Sequence, residues 1–171
     1  MAAKVIIIAA LSQNGVIGAD NDLPWRIGGD FRRFKSLTMG YPCIMGRRTF
    51  ESLPKKAKPL PGRENIVLTS NRNFKPDNTT VLHSFEHALD YATGKKAERV
   101  FITGGAAVYE AALPYADVLE LTKVCKTVDG NVRFPQIDWS RWELVRQQNR
   151  KEADQRSGES VSYIFLTYCR K

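Results

Sequence analysis

Apolar residues gather along this chain into short, β-branched runs with no polar alternation, as strands covered on both faces do. Six such runs are Lys4–Leu11, Pro42–Gly46, Asn65–Ser70, Thr80–His83, Arg99–Gly105 and Val118–Val124. Between several of them the apolar positions recur at three- and four-residue spacing, which predicts helices over Asp30–Met39, Arg47–Leu53, Ser84–Ala92 and Ala106–Leu113. Strands alternating with helices predict an α/β fold: a single domain with a mainly parallel central sheet and crossover helices. The tail breaks the rhythm. "WELVRQQNRKEA" and "SVSYIFLTYCR" flank a polar, glycine-containing turn and predict a C-terminal antiparallel hairpin at the sheet edge.

One polar residue violates the pattern. In "LPWRIGGDFRRFK", at about 100° per residue, Asp30 falls between Phe34 and Leu37 on the apolar side of its helix, while Arg32, Arg33, Lys35 and Ser36 take the other. Gly-Gly-Asp before an amphipathic run reads as an N-cap. A carboxylate aimed inward also reads as a functional acid, second to the cap. The two are compatible, because an acid in the first turn meets the positive end of the helix dipole.

Composition narrows the field modestly. The 171 residues fit one domain, 1–171, with 43% hydrophobic and 26% charged residues, ordinary for a soluble protein. The net charge of +8 points to an anionic partner, whether nucleic acid, a phosphorylated cofactor or a polycarboxylate. Lys and Arg are spread along the whole chain rather than clustered, so charge alone does not choose. Cys43, Cys125 and Cys169 are far apart and odd in number, which argues against a disulfide framework or a zinc site and for a cytoplasmic location. His83 and His87 stand four apart on a predicted helix but lack a third ligand, so no metal is expected. "VIIIAAL" is too short to span a bilayer and lacks a signal-peptide cleavage site, so no membrane partner is expected.

Two strand-to-helix junctions carry candidate chemistry. Gly46 leaves a strand and Arg47, Arg48 and Thr49 open a helix; Gly104 and Gly105 hold the same kind of junction before Ala106 and Ala107. Helix starts offer unpaired N–H groups, and glycine lets a phosphate approach the backbone. Neither junction matches G-x-G-x-x-G. Together, with an Arg-Arg pair whose forks match phosphate oxygens, they suit a dinucleotide bearing an additional phosphate. Thr69, Ser70 and Asn71 end the next strand with groups able to complete such a pocket, or simply to form a turn.

These segments resemble dihydrofolate reductase. "IIIAALSQNGVIGADNDLPW", "DFRRFKSLT", "IMGRRTFESL", "PLPGRENIVLTS", "FITGGAAVYEAALPYAD", "LELTKV" and "RFPQIDW" occur in family order over essentially the full length. The resemblance implies NADPH-dependent reduction of 7,8-dihydrofolate to tetrahydrofolate in one-carbon metabolism, by a monomer that also binds antifolate inhibitors. It makes Asp30 the ionisable group of the pterin pocket, with Trp25 and Thr122 in the network around it. Ile8, Ala9, Phe31, Phe34, Leu53 and Tyr109 become the substrate walls, Thr103 lies beside them, and Arg63 clamps the substrate's α-carboxylate. Ala10, Ile17 and Gly18 flank the nicotinamide. Gly46, Arg47, Arg48, Thr49, Thr69, Ser70 and Asn71 hold the adenosine phosphates, and Gly104, Gly105, Ala106 and Ala107 the pyrophosphate. Ser12–Leu23 resembles a loop that closes over the nicotinamide.

The chain departs from the family in Gly28-Gly29 before the acid, a longer "PKKAKPLPGR", Asn131 in place of an acidic loop partner, and Ala107 in place of a basic residue. Phe31, where many bacterial relatives carry leucine, is expected to favour methotrexate over trimethoprim. Two other readings compete: a reductase of the riboflavin pathway acting on a pyrimidine, and a basic nucleic-acid-binding domain.

Overall fold

A computed structural model describes residues 2–18 and 23–171. Its centre is β1 (Lys4–Ser12), in which Val5 to Ala9 are all buried. Ile6 and Ile8 pack on one side of the sheet; Val5, Ile7 and Ala9 pack on the other. A strand with no wet face has no position to give to a polar residue, hence the missing alternation.

Beside it lie β3 (Cys43–Gly46), β4 (Asn65–Leu68), β5 (Thr80–Leu82), β6 (Arg99–Gly104), β7 (Val118–Val124), β9 (Trp142–Ala153) and β10 (Ser160–Arg170). Their order across the sheet is β5-β4-β3-β6-β1-β7-β10-β9. β5 through β7 run parallel, while β10 is antiparallel to β7 and β9 antiparallel to β10. The hairpin sits at the edge, as its pattern predicts. Two short strands, β2 (Val16–Gly18) and β8 (Val132–Arg133), form a separate ladder.

Helices cover both faces. α1 (Gly28–Thr38) and α2 (Arg47–Ser52) pack Phe34, Leu37 and Phe50 on the face of Ile6 and Ile8. α3 (Phe85–Thr93) and α4 (Ala106–Ala112) pack Phe85, Ala88, Val108 and Ala112 on the opposite face. The chain steps outward from β1 to β3, β4 and β5, then returns to place β6 between β3 and β1. The carboxyl ends of β1, β3, β6 and β7 thereby share one rim, the place where open α/β sheets bind ligands.

Several element ends differ from the sequence reading. β4 stops at Leu68 and β5 at Leu82, so Thr69, Ser70 and His83 lie in turns. His83 is therefore not on the helix with His87: its Nδ1 lies 2.6 Å from the Thr69 carbonyl oxygen. Ser84 is the N-cap of α3 rather than its first residue, its hydroxyl accepting the His87 amide at 3.2 Å.

The hairpin is also an anchor. Asp154, whose side chain is only 2% exposed, accepts the Arg26 amide at 3.0 Å, the Arg156 amide at 2.9 Å and the Lys126 ammonium at 3.2 Å. Burial opposes its charge, but these donors outweigh burial and hold the carboxyl below the usual aspartate range. The Gln155 amide donates to the Arg26 carbonyl at 2.8 Å, so the β9–β10 turn clasps the segment entering α1.

Asp154→Asn is expected to lower unfolding free energy by about 2 kcal/mol at neutral pH, since donors keep a weaker acceptor. A lowered folded-state value stabilises above the unfolded pKa of about 3.9, and the benefit disappears as pH falls through the folded value. In urea titrations of both proteins the gap should therefore narrow as pH falls from 7 towards 3.

Candidate active site

α1 begins without a local cap. Its N-cap is Ile27, which offers no side-chain acceptor, and Gly28 and Gly29 are its first two helical residues. Asp30 is thus the third residue of the helix and not its cap, contrary to the capping reading. The Ile27 carbonyl accepts the amides of Asp30 and Phe31 at 3.1 and 3.3 Å. The orphan amide of Gly29 finds a distant partner, donating to Glu152 Oε1 of β9 at 2.9 Å.

Freed from capping, the Asp30 side chain turns to the sheet. Thr122 Oγ1 donates to Asp30 Oδ1 at 2.6 Å. Thr122 is 2% exposed, in register with Ala10 of β1 on one side and Phe165 of β10 on the other. Burial raises the Asp30 pKa above the ordinary carboxylate value; the Thr122 hydrogen bond and Arg33 oppose the rise, and the Glu152 charge adds to it. Arg33 is itself paired with Glu120, which also accepts the Thr167 hydroxyl at 2.7 Å.

Trp25 is 1% exposed and packs in one cluster with Ile27, Val124, Tyr163 and Phe165, against which Ala10 also rests. Its Nε1 is buried and has no acceptor among the described residues. A buried indole N–H normally has a partner. On α4, the buried Tyr109 donates to the Ile8 carbonyl at 2.8 Å. Burial, and then the Asp30 charge, push this phenol above its usual range.

The expected substrate walls divide between the two faces of the sheet. Ile8, Phe34 and Leu53 share the α1–α2 face, whereas Ala9 and Tyr109 belong to the α3–α4 face. Phe31 stands outward at 45% exposed, available to a ligand but packed on little. Arg63 donates from Nη1 to Thr38 Oγ1 at 3.1 Å and from Nε to the Pro61 carbonyl at 2.9 Å, which fixes its fork at the far end of α1. Thr103 Oγ1 is turned back to the Ile44 carbonyl at 3.4 Å.

The two glycine junctions, separate in sequence, meet in space. A β-carbon on Gly46 would lie 3.7 Å from the Gly105 amide nitrogen, and one on Gly105 would lie 3.5 Å from Thr49 Oγ1. Gly104 has φ +120°, and a β-carbon there would press within 3.2 Å of the Tyr109 hydroxyl oxygen. The result is a bare backbone cradle with Ala106 and Ala107 opening α4 behind it. Arg47 forms an exposed pair with Glu51 at 3.3 Å and Arg48 is exposed, so both guanidinium groups can be recruited. Bare amides, a hydroxyl and two arginines are the donors a phosphorylated dinucleotide needs, so the residues fit such a group.

Thr69, Ser70 and Asn71 form the turn after β4. The Thr69 hydroxyl accepts the Asn71 amide at 3.1 Å, and Asn71 Oδ1 accepts the Asn73 amide at 2.9 Å. Ile17 and Gly18 lie on β2. Of the expected closing loop Ser12–Leu23, positions 19–22 fall outside the described residues. The loop's start is tied down by Ser12 Oγ, which accepts the Val16 amide at 2.9 Å.

Sequence reasoning missed Glu152 and Tyr163. Tyr163 donates its hydroxyl to Glu152 Oε1, the same oxygen that takes the Gly29 amide. Nothing in an exposed-looking "NRKEA" signals a carboxylate beside a residue more than a hundred positions away.

Comparison with known proteins agrees with this geometry. Residues 4–170 match the family described as dihydrofolate reductase. A dihydrofolate reductase of Neisseria gonorrhoeae is 42% identical over 168 residues, 98% of this chain and 99% of that protein. One from Bacillus subtilis is 39% identical over 167 residues, 98% of this chain and 95% of that protein. A solved structure of dihydrofolate reductase from Enterococcus faecalis, complexed with NADP(H) and RAB-propyl, superposes with a TM-score of 0.88 at 34% identity, covering 100% of this chain and 99% of that one.

The raised Asp30 pKa carries a stability cost with a defined sign. Below the unfolded pKa of about 3.9 both states are protonated and the cost is nil; it grows as pH rises and is complete above the folded value. Asp30→Asn should therefore be more stable than the parent at pH 7.5 and no more stable at pH 3.5. Thermal unfolding at the two pH values reads this directly, and a less stable Asn protein at pH 7.5 contradicts the burial argument.

Proposed function

Since the chain belongs to the dihydrofolate reductase family and reduces 7,8-dihydrofolate to tetrahydrofolate with NADPH, we propose that Asp30, Thr122 and Trp25 are its catalytic group. The observation that carries this is the half-buried Asp30 carboxyl, held by Thr122 and raised in pKa chiefly by burial, at the start of the helix that follows Trp25, whose buried indole N–H has no acceptor among the described residues. Thr122 takes one lone pair of Oδ1, so Oδ1 and Oδ2 can both still accept from the N3 and 2-amino edge of the pterin. A carboxylate pairs bidentately with such an amidine-like edge. Trp25 Nε1 has a donor to give to substrate or to an ordered water.

NADPH supplies the hydride that reaches C6 of the substrate. The chain's task is to bind, orient and hold a proton for N5. Burial keeps Asp30 protonated to a higher pH than a surface aspartate, so the proton that N5 gains is drawn from this carboxyl through an ordered water, and the carboxyl passes from neutral to negative until solvent restores its proton. Ile8, Phe34 and Leu53 give the pterin and aryl groups an apolar wall, with Ala9, Tyr109 and Thr103 nearer the rim of β1 and β6. Phe31 and Arg63 extend the site outward, where Arg63 meets the α-carboxylate and Phe31 an aryl tail or an antifolate inhibitor.

For the dinucleotide, Gly46, Gly104, Gly105, Ala106 and Ala107 offer backbone to the pyrophosphate. Arg47, Arg48, Thr49, Thr69, Ser70 and Asn71 take the adenosine phosphates, and Ala10, Ile17 and Gly18 the nicotinamide. We further infer that residues 1–171 act as one catalytic domain, a monomer in the cytoplasm with no nucleic-acid or membrane partner. The single domain is supported by the way all three core clusters lean on the eight-stranded sheet and its flanking loops; no helix among the described residues is long and apolar enough to cross a membrane. The riboflavin-pathway and nucleic-acid readings gain nothing from the matches.

Asp30→Asn should cut turnover of dihydrofolate at neutral pH by roughly 10²-fold or more, the scale of a positioned acid–base group. NADPH affinity, read by fluorescence titration, should hardly move. Near-normal turnover would remove Asp30 from the mechanism.

Cofactor choice tests the arginines. Two charge-assisted bonds of about 1.5–3 kcal/mol each should give NADPH at least tenfold preference over NADH. In an Arg47→Ala/Arg48→Ala protein the ratio of kcat/KM for the two cofactors should approach one; a preserved ratio assigns the 2′-phosphate to other residues.

A further inference from the structure

The start of α1 is where the proposed catalytic acid meets the C-terminal hairpin. Gly29 precedes Asp30, and its amide donates to Glu152 Oε1 at 2.9 Å. The hydroxyl of Tyr163, a residue 3% exposed on β10, donates to the same oxygen. A β-carbon on Gly29 would overlap both the Tyr163 hydroxyl and that carboxylate oxygen, so contact at this point is backbone to side chain with no room to spare. A β-carbon on Gly28 would lie 3.6 Å from the other oxygen, Glu152 Oε2. Glu152 thus seats both its oxygens along the two glycines that lead into Asp30.

We propose that Glu152 is a positioning residue for the reduction: it fixes the first turn of α1 and sets a second negative charge on the Gly29 amide, one residue before Asp30. This rests on the assignment of Asp30 as the catalytic carboxyl. The like charge disfavours ionisation of Asp30. Consistent with that, the Glu152 charge acts on Asp30 in the same direction as burial. Both carboxylates also act on the Tyr163 phenol, which is pushed up to about 12 by burial first and then by Glu152, with a smaller part from Asp30.

The other charges around Asp30 leave this role open to Glu152. On its own helix, Arg33 opposes ionisation's cost but is paired with Glu120, and Arg32 acts on the Tyr163 phenol in the direction opposite to Glu152. From β7 comes the neutral Thr122 hydroxyl. From α4 comes Tyr109, its phenol raised and therefore uncharged at working pH. Glu152 is the like charge that the surrounding elements bring to bear.

The arrangement also gives the two glycines a purpose. A helix start with side chains would have to stand off from β10; bare backbone lets the carboxylate approach as a cap supplied from elsewhere. Position and charge are then delivered by one side chain, and substitutions can separate them.

The test follows the Asp30 carboxyl itself, by ¹³C NMR titration of the aspartate side chains, together with the pH profile of kcat for dihydrofolate reduction. Glu152→Gln keeps an acceptor for Gly29 and removes the charge. The Asp30 midpoint should fall by about half a pH unit, the order expected of one partly screened like charge. The kcat profile should fall with it while KM for dihydrofolate stays within twofold. Tyr163→Phe, which loosens the carboxylate without removing it, should move the midpoint the same way by less, and serves if the Gln protein does not fold. A midpoint unchanged or raised in both variants overturns the role of Glu152. A wild-type kcat profile that does not follow the Asp30 titration instead overturns the catalytic assignment of Asp30, whatever the variants do.

Discussion

A half-buried carboxyl group at the junction of α1 with β7 sets the terms for the rest of this structure. Burying an ionisable acid is unfavourable unless its surroundings supply hydrogen bonds and restrict its geometry. Thr122 supplies the bond, and β7 can present Thr122 there because both its neighbours, β1 and β10, hold it in register. The outer helix face is tied by Arg33 to Glu120 of the same strand. Even the Tyr109 phenol of α4, bonded to the Ile8 carbonyl of β1, feels the charge.

Much of the fold was legible because two-sided burial writes itself plainly. A central parallel strand such as β1 is apolar along its whole covered stretch, Val5 to Leu11, so strands and crossover helices stand out as runs and periodicities. Element ends were less legible. Asp30 resembles a cap in sequence, and only tertiary contact reveals that α1 starts two residues earlier on bare glycine. Thr69 and Ser70 have strand-forming neighbours, yet the hydroxyl of Thr69 closes a turn on the Asn71 amide. Short ladders such as β2 with β8 escape notice because two or three residues carry no periodicity.

The site divides in the same way. Asp30, Thr122, Trp25 and the glycine junctions lie inside strings specific enough to identify, and the structure brings Gly46 and Gly105 face to face. The sheet's topology explains that meeting, since β3 and β6 are neighbours although more than fifty residues separate them. Glu152 lies in no such string. Its significance comes from a pairing across the sheet edge, where the polarity of β9 looks like any solvated strand.

The distant cap on α1 bears on how the enzyme comes to exist. α3 opens on its own cap, the Ser84 hydroxyl, and draws nothing from a distant element to begin. Here the first turn of α1 draws its acceptor from β9, and β9 is joined to the sheet only through β10. During synthesis the parallel sheet can assemble strand by strand, as domains commonly do from the amino-terminal end. Its acid nevertheless stays without a finished setting until the closing hairpin has been made and docked. A nascent chain lacking that hairpin would hold most of the fold and none of the completed chemistry.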